Sequence, residues 1–151
     1  MSTFITDSDF RSFGNDNSKW AILIHEGIEM RPTLKDFILA LDISKTRGAN
    51  WHGELRYSPF PVKAEDTFTV SFSARAKHPF TFSVWLGQQN DPWKSLIPEE
   101  NHFGAQLMTA EWQTFTHTWH PFMDEESARL NFVLGQIDNI VEIKDVKLVK
   151  T

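Results

Sequence analysis

The stretch that decides the fold lies in the last forty residues or so, where three short segments alternate apolar and polar side chains. They read Glu111-Trp112-Gln113-Thr114-Phe115, then Arg129-Leu130-Asn131-Phe132-Val133-Leu134-Gly135, then Val141-Glu142-Ile143-Lys144-Asp145-Val146-Lys147-Leu148. An alternation of this kind is typical of a β-strand with one buried face. The end of the chain therefore predicts strands that pack on a shared core.

The same alternation recurs upstream, and turn residues such as Asn90-Asp91-Pro92 separate the segments. The predicted strands are Lys19–His25, Asp36–Ser44, Trp51–Tyr57, Thr67–Lys77, Phe80–Gly87, Ala105–Met108, Trp112–His120, Ala128–Leu134 and Val141–Val149. Almost no segment combines helical period with helix caps. Many short strands with regular turns favour an all-β sandwich or barrel.

Length and composition favour one ordinary folded unit, which we take as a single domain over residues 1–151. The chain has 40% hydrophobic residues and a net charge of −5, and its basic residues are scattered, which argues against nucleic acid as a partner. There is no cysteine and no apolar run long enough to span a membrane. Residues 1–7 do not look like a signal peptide, so we expect a cytoplasmic protein or a segment of a longer exported one.

Several segments, taken in order, resemble carbohydrate-binding modules of the family 4, 9 and 22 type. The resemblance rests on Ser8–Gly14 followed by Trp20, on residues 51–62 and 67–76, and on the three C-terminal segments quoted above. It covers about Asp9 to Leu148. It implies a jelly-roll β-sandwich of two antiparallel sheets, and it implies a polysaccharide or oligosaccharide ligand held in a groove on one sheet.

Many members of these families hold a structural calcium near the chain ends, but this sequence departs from their pattern. Arg11 and Lys144 occupy the positions where the resemblance places acidic ligands. Calcium needs oxygen ligands, so we expect this site to be lost and no cofactor to be bound. The acidic residues near enough in the pattern to rebuild it are Asp7, Asp9 and Asp145. Asp145 is expected instead to pair with Arg11, Lys144 or Lys147.

The outward side chains of the predicted strands suggest a binding face. The candidate ligand-binding residues are Trp85, Arg75, Arg56, Glu54, His52, Ser73, Asn131, Gln88, Gln136 and Trp93. An aromatic ring stacks on the C–H face of a sugar, while amide, guanidinium and carboxylate groups bind hydroxyls. The alternative is a solvated sheet face with ordinary polar decoration, with Trp93 tucked into the sandwich edge. Trp51 shares the parity of Leu55 and is expected in the core or at its rim.

Catalytic and metal motifs are weak. His117 and His120 point to opposite faces of one strand, so they do not chelate one ion together. A glycosidase needs two carboxylates flanking one bond, and Glu54 is the one acidic residue that falls convincingly on the predicted binding face. Hydrolysis by this chain is therefore not expected.

The leading hypothesis is a non-catalytic module that binds a β-glucan or xylan type of glycan and targets an attached glycoside hydrolase. The alternative is a small-molecule enzyme of isomerase or cyclase type, or a ligand-binding protein, that reuses the same sandwich with an aromatic-lined pocket. In that case Glu54, beside Arg56 and His52, is the acid/base candidate. A third possibility is a protein-interaction sandwich without a small ligand.

Overall fold

The computed structural model describes residues 2–3, 10, 12–13 and 18–151. Its strands are β1 (Ser2–Thr3), β2 (Trp20–Ile24), β3 (Glu29–Lys35), β4 (Ile38–Ser44), β5 (Gly53–Val62), β6 (Phe68–Ala76), β7 (Phe80–Gln88), β8 (Phe103–Met108), β9 (Gln113–Trp119), β10 (Glu125–Val133) and β11 (Asn139–Lys150). Two single-turn 3-10 helices cover Asn50–His52 and Glu99–Asn101. Within these described ranges, no helix has the length and apolar character to cross a membrane.

The strands form two antiparallel sheets. Sheet A has the order β3-β4-β11-β6-β9, with β1 paired to β11, and sheet B has the order β2-β5-β10-β7-β8. Apart from the pairs β3–β4 and β7–β8, neighbouring strands are not consecutive along the chain, as in β10, which lies between β5 and β7. This arrangement confirms the predicted all-β jelly-roll sandwich of two antiparallel sheets.

The core lies between the sheets and is built by the alternation seen in the sequence. In β6 every second residue from Phe68 to Ala76 is buried, and the residues between them are half-exposed. The Phe72 ring lies 5.4 Å from Phe115 of sheet A and 5.0 Å from Phe132 of sheet B, measured between ring centroids. Aromatic side chains from both sheets therefore interlock at the centre, where they contribute both apolar area and edge-to-face contacts.

Two strands, β1 and β3, were not predicted, and one residue was placed on the wrong side. The segment Glu29–Lys35 forms edge strand β3, although its mostly polar, exposed residues and Pro32 gave no alternating signal. An edge strand tolerates proline because one row of its N–H groups faces solvent. Phe37, predicted to be buried, is 60% exposed because it sits at φ 64° in the β3–β4 turn. Phe37 therefore belongs to the turn before β4 and does not follow the alternation of that strand.

Candidate functional site

The outer face of sheet B carries a contiguous group of polar and aromatic side chains. Asn131 on β10 lies directly between Trp85 on β7 and Arg56 on β5 in the strand register. One pair further along, Val133 lies opposite Glu54, and on the other side Arg129 lies opposite Gly87. Three adjacent central strands, β5, β10 and β7, thus place their outward residues on one continuous surface, which we call the floor of the site.

This floor bears a depression made of two adjoining hollows, of about 310 Å³ and about 290 Å³. Both are lined by Glu54, Trp93 and Arg129, so we treat them as one cleft. The other lining residues are Asn50, Trp51, Trp85, Gly87, Lys94, Ser95, Asn131 and Val133 in the first hollow, and Leu23, His25 and Arg56 in the second. A hollow of about 380 Å³ over residues 61–63 and 124–126 has no aromatic lining, which makes it a poorer ligand site.

Three tryptophans surround the cleft. Trp51 is 51% exposed and Trp93 is 58% exposed, whereas Trp85 is half-buried with its ring 4.7 Å from that of His102. Exposed indole rings are unusual for a soluble sandwich because they leave large apolar faces in water. Their clustering at one cleft therefore indicates a surface that stacks on flat apolar faces of a ligand.

The loop that carries Trp93 is held by its own hydrogen bonds. Gln88 N donates to the carbonyl of Lys94 at 2.8 Å, and Lys94 N donates to Gln88 Oε1 at 3.0 Å. Trp93 has φ 54°, a left-handed conformation that is costly for a bulky residue. Its backbone N–H donates to the carbonyl of Asn90 at 2.8 Å. The loop thus fixes Trp93 in a strained backbone position, with its ring lining both hollows.

The turn that carries Trp51 is fixed by a close backbone contact. Gly135 N donates to the carbonyl of Asn50, and Leu134 N donates to the carbonyl of Gly53, both at 2.8 Å. A Cβ on Gly135 would lie 2.4 Å from Gly53 N. Only glycine at position 135 allows this approach, which holds the Asn50–His52 turn against the end of β10.

The polar centre of the floor is a hydrogen-bonded pair, Glu54 and Asn131. Both side chains are buried, and Asn131 Nδ2 donates to Glu54 Oε1 at 2.9 Å. Glu54 Oε2 lies 3.5 Å from His25 Nε2. Asn131 Oδ1 has no hydrogen-bond partner among the described residues. A buried acceptor without a partner is costly, and this one belongs to a residue that lines the cleft.

Two arginines flank this pair. Arg129 is half-buried, and burial lowers the pKa of its guanidinium, with Glu54 opposing and Arg56 adding to the effect. Within the described part of the chain, neither the Arg56 nor the Arg129 guanidinium forms a hydrogen bond or an ion pair. Their donors are therefore available to a ligand in the cleft.

The structure brings together half of the predicted site residues and separates the rest. Trp85, Arg56, Glu54, Asn131 and Trp93 all line the cleft. Sheet A instead carries Ser73 and Arg75, which lie on β6. The expectation that these two share a face with Trp85 was wrong, because alternation tells inward from outward but not which sheet a strand joins.

Three further predicted residues are near the cleft but do not line it. His52 is buried in the 3-10 turn, with its ring 4.3 Å from the Trp51 ring, so it does not stand beside Glu54 on an outward face as predicted. Gln88 braces the Trp93 loop through Lys94. Gln136 follows β10 and is half-buried. His52 and Gln88 have positional roles in this structure, and contact of all three residues with a ligand remains a prediction.

Sequence reasoning missed several lining residues. The most important is Arg129, which has the same parity as Asn131 and could have been found from the alternation of β10 alone. Trp51 was expected in the core or at its rim, and the structure places it at the rim with its ring exposed. His25 was not singled out, although within the predicted strand Lys19–His25 it shares the parity of Leu23, which also lines the cleft.

The predicted loss of the calcium site concerns residues near both chain ends. Asp7, Asp9 and Arg11 lie outside the described residues. Lys144 does not pair with Asp145, because its ammonium lies 4.3 Å from the centroid of the Trp112 ring, which Arg75 also covers at 4.6 Å. Over the described ranges, no three His, Cys, Asp or Glu residues are grouped to hold a metal ion.

Comparison with known families settles the class. Residues 39–139 match the sequence model of a family described as "Carbohydrate binding domain", which unites modules of types 4 and 9. The chain belongs to this carbohydrate-binding domain family. The match spans most of the described sandwich, including β5, β7 and β10, and it confirms the resemblance drawn from the sequence. Carbohydrate binding in general is the function that this membership supports.

Solved structures show the same fold. A family 4 carbohydrate-binding module has a TM-score of 0.82 and 24% identity over 97% of this chain and 99% of that chain. The second N-terminal cellulose-binding domain of β-1,4-glucanase C from Cellulomonas fimi has a TM-score of 0.71 and 21% identity over 95% and 90% of the two chains. A comparison with curated proteins found no match.

Proposed function

We propose that this protein is a non-catalytic module that holds a polysaccharide or oligosaccharide of β-glucan or xylan type in the cleft on sheet B. The single observation that carries the proposal is the exposure of Trp51 and Trp93, 51% and 58%, at the walls of a cleft with a polar floor. Sugars of these chains present flat C–H faces to aromatic rings and equatorial hydroxyls to polar groups. The cleft offers both kinds of contact.

The floor suits hydroxyl recognition. Asn131 Oδ1 needs a donor, the arginines need acceptors, and Glu54 is already oriented by Asn131. A hydroxyl is both donor and acceptor, so neighbouring hydroxyls of a sugar ring satisfy both needs. These groups stand on central strands of a rigid sheet, which reduces the ordering cost of binding.

The chemistry of the cleft supports binding rather than hydrolysis. Glycoside cleavage requires two carboxyl groups placed on either side of one bond. Of the residues described as lining the cleft, Glu54 alone carries a carboxylate, and it is engaged with Asn131. We therefore propose that the chain works attached to a glycoside hydrolase and raises the local concentration of its substrate. The Cellulomonas fimi neighbour is such a domain within a glucanase.

The test is affinity electrophoresis of the protein in gels containing xylan, β-1,3-glucan, mixed-linkage glucan or soluble cellulose, with Trp93→Ala beside the wild type. At 58% exposure, one face of the Trp93 ring offers roughly 70 Å² to a sugar, which is about 1.8 kcal/mol. We expect the variant to bind the retarding polymer about twentyfold more weakly.

The matched control is Trp112→Ala, which removes a tryptophan from the outer face of sheet A. This ring packs under Arg75 and Lys144 and does not line the cleft. Retardation that Trp93→Ala reduces and Trp112→Ala preserves supports the proposal. Equal loss in both variants would place binding elsewhere, and no retardation of the folded wild type by any polymer would reject the glucan or xylan assignment.

A further inference from the structure

The two arginines of the cleft, Arg56 and Arg129, differ from Arg31 and Arg75 in having no carboxylate partner among the described residues. Arg31 and Arg75 each pair with a carboxylate, Glu29 at 2.8 Å and Glu142 at 2.9 Å. The guanidinium groups of Arg56 and Arg129 have no such partner in the described residues, although both line the same hollow. The fold therefore leaves two adjacent cations unpaired at its candidate binding site.

The one carboxylate in the cleft, Glu54, offsets only part of their charge. Glu54 Oε1 accepts from Asn131, and Oε2 faces His25 at 3.5 Å. No Glu54 oxygen lies within ion-pair distance of either arginine. The hollow thus carries two guanidinium charges against one carboxylate, within a chain whose net charge is −5. This local excess of positive charge is not a consequence of a generally basic surface.

Holding these cations together has a cost. Arg129 is half-buried, so it has lost part of its hydration, and the charge of Glu54 attracts it while that of Arg56 repels it. A neutral hydroxyl would accept a hydrogen bond from either group but would leave the repulsion in place. A carboxylate would accept two parallel hydrogen bonds from a planar guanidinium and also cancel charge.

The strand geometry leaves room for such a group. Arg129 lies opposite Gly87, which has no side chain, and both line the first hollow. A Cβ at position 87 would also lie 3.0 Å from the carbonyl oxygen of Lys94. The glycine therefore keeps the space beside Arg129 open while it lets the Trp93 loop pack closely on β7.

We propose that the glycan bound in this cleft carries a hexuronic acid, whose carboxylate is received by Arg129 and Arg56 while a neighbouring sugar stacks on tryptophan. This inference rests on the proposed function and specifies its ligand class. The carboxylate stands either in the main chain of the glycan or on a branch. The arginines discriminate for charge, and Glu54 with Asn131 binds hydroxyls of the same or the adjoining unit.

The test is isothermal titration calorimetry with three acidic probes, each beside its carboxyl-reduced neutral counterpart: glucuronoxylan, polygalacturonate and alginate oligosaccharides. We expect at least one acidic probe to bind about tenfold more tightly than its reduced form, the value of one charge-assisted pair. Raising the salt from about 0.05 M to about 0.5 M should weaken the acidic probe and leave the neutral one nearly unchanged.

Variants assign the effect to the two arginines. Arg129→Gln and Arg56→Gln should each weaken binding of the acidic probe more than binding of its reduced form, so that most of the preference for the acidic probe is lost. Arg129→Lys keeps the positive charge but cannot donate two parallel hydrogen bonds to a carboxylate, so we expect an intermediate preference for the acidic probe. This variant replaces Arg129→Gln if the latter is unstable. Arg31→Gln, at an exposed position on β3 of sheet A, is the control and should leave the preference intact.

The failures of the two proposals are distinguishable. Equal binding of each acidic probe and its reduced form would overturn the uronate assignment and leave carbohydrate binding in place. No binding of any of these probes by a folded protein that is retarded by a neutral β-glucan or xylan would overturn the uronate assignment alone, and no binding of those neutral polymers either would count against both. Tighter binding of dextran sulfate than of every uronate probe would overturn the carboxylate as the preferred anion.

Discussion

Alanine substitutions at Gly135 and Gly53, two glycines whose backbones are in close contact, should lower the stability of the fold by different amounts. The new methyl group would lie 2.4 Å from Gly53 N and 2.9 Å from Gly53 Cα, both backbone atoms in the interior of sheet B. A methyl on Gly53 would meet two side chains most closely, Met30 Sδ at 2.6 Å and Ile28 Cδ1 at 2.8 Å, and the backbone only at Gly135 Cα, 3.2 Å away. Backbone has less freedom to move aside, so the two variants should differ.

Overpacking of a core costs about 1–3 kcal/mol. We expect Gly135→Ala at the upper end, about 3 kcal/mol, and Gly53→Ala near about 1 kcal/mol. For a chain of this size the first value lowers Tm by roughly 6–12 °C. Gly104→Ala is the control, because its methyl would lie 3.6 Å from Ser83 Oγ, an ordinary contact.

The assay is urea unfolding followed by tryptophan fluorescence, with Tm from calorimetry as a second measure. Because Gly135 N also holds the carbonyl of Asn50, the variant should displace the turn that carries Trp51 and weaken binding of any ligand that stacks on it. Gly135→Ala as stable as Gly104→Ala, or no less stable than Gly53→Ala, would refute the reasoning about this contact.

Two further variants test single hydrogen-bonded groups. Asn131→Leu should lower the free energy of unfolding by about 1–3 kcal/mol, because buried Glu54 loses its donor. Adding Glu54→Leu removes the unpaired carboxylate and should restore part of the lost stability. A double variant less stable than Asn131→Leu would contradict this account. Thr46 N and Oγ1 donate hydrogen bonds to the Asp138 carboxylate and lower its pKa. The ionised carboxylate therefore stabilises the folded protein at pH values above the ordinary Asp pKa, and this stabilisation is lost as pH falls through the lowered pKa of the folded state. The difference in urea midpoint between wild type and Asp138→Asn should therefore shrink between about pH 5 and about pH 3, and a difference independent of pH would argue against it.

The alternation of the sequence predicted most of the fold because each long strand buries one face. β6 is the clearest case, with every second residue in the core. The same reasoning failed for β3, since an edge strand with little buried area needs no apolar alternation. It also placed Phe37 in the core because it could not detect the left-handed turn between β3 and β4 in which Phe37 lies.

The site was harder to predict than the fold because it depends on which strands become neighbours. Glu54, Asn131 and Trp85 were grouped correctly since β10 lies between β5 and β7. Arg75 has the same outward parity, yet β6 pairs with β9 and β11 in the other sheet. Parity is a local property of a strand, whereas pairing is set by the whole topology, so a sequence argument can list outward residues without knowing which of them meet.

The two outer faces differ in how far their polar groups pair with one another. On sheet A the outward groups satisfy one another: Thr69 bonds to Thr118 at 3.0 Å and Ser73 to Thr114 at 3.1 Å, and Arg75 pairs with Glu142. On sheet B, Asn131 Oδ1 has no described partner. A folded chain gains by pairing its polar groups, so donors and acceptors left open beside exposed tryptophans are best explained by a ligand that completes them.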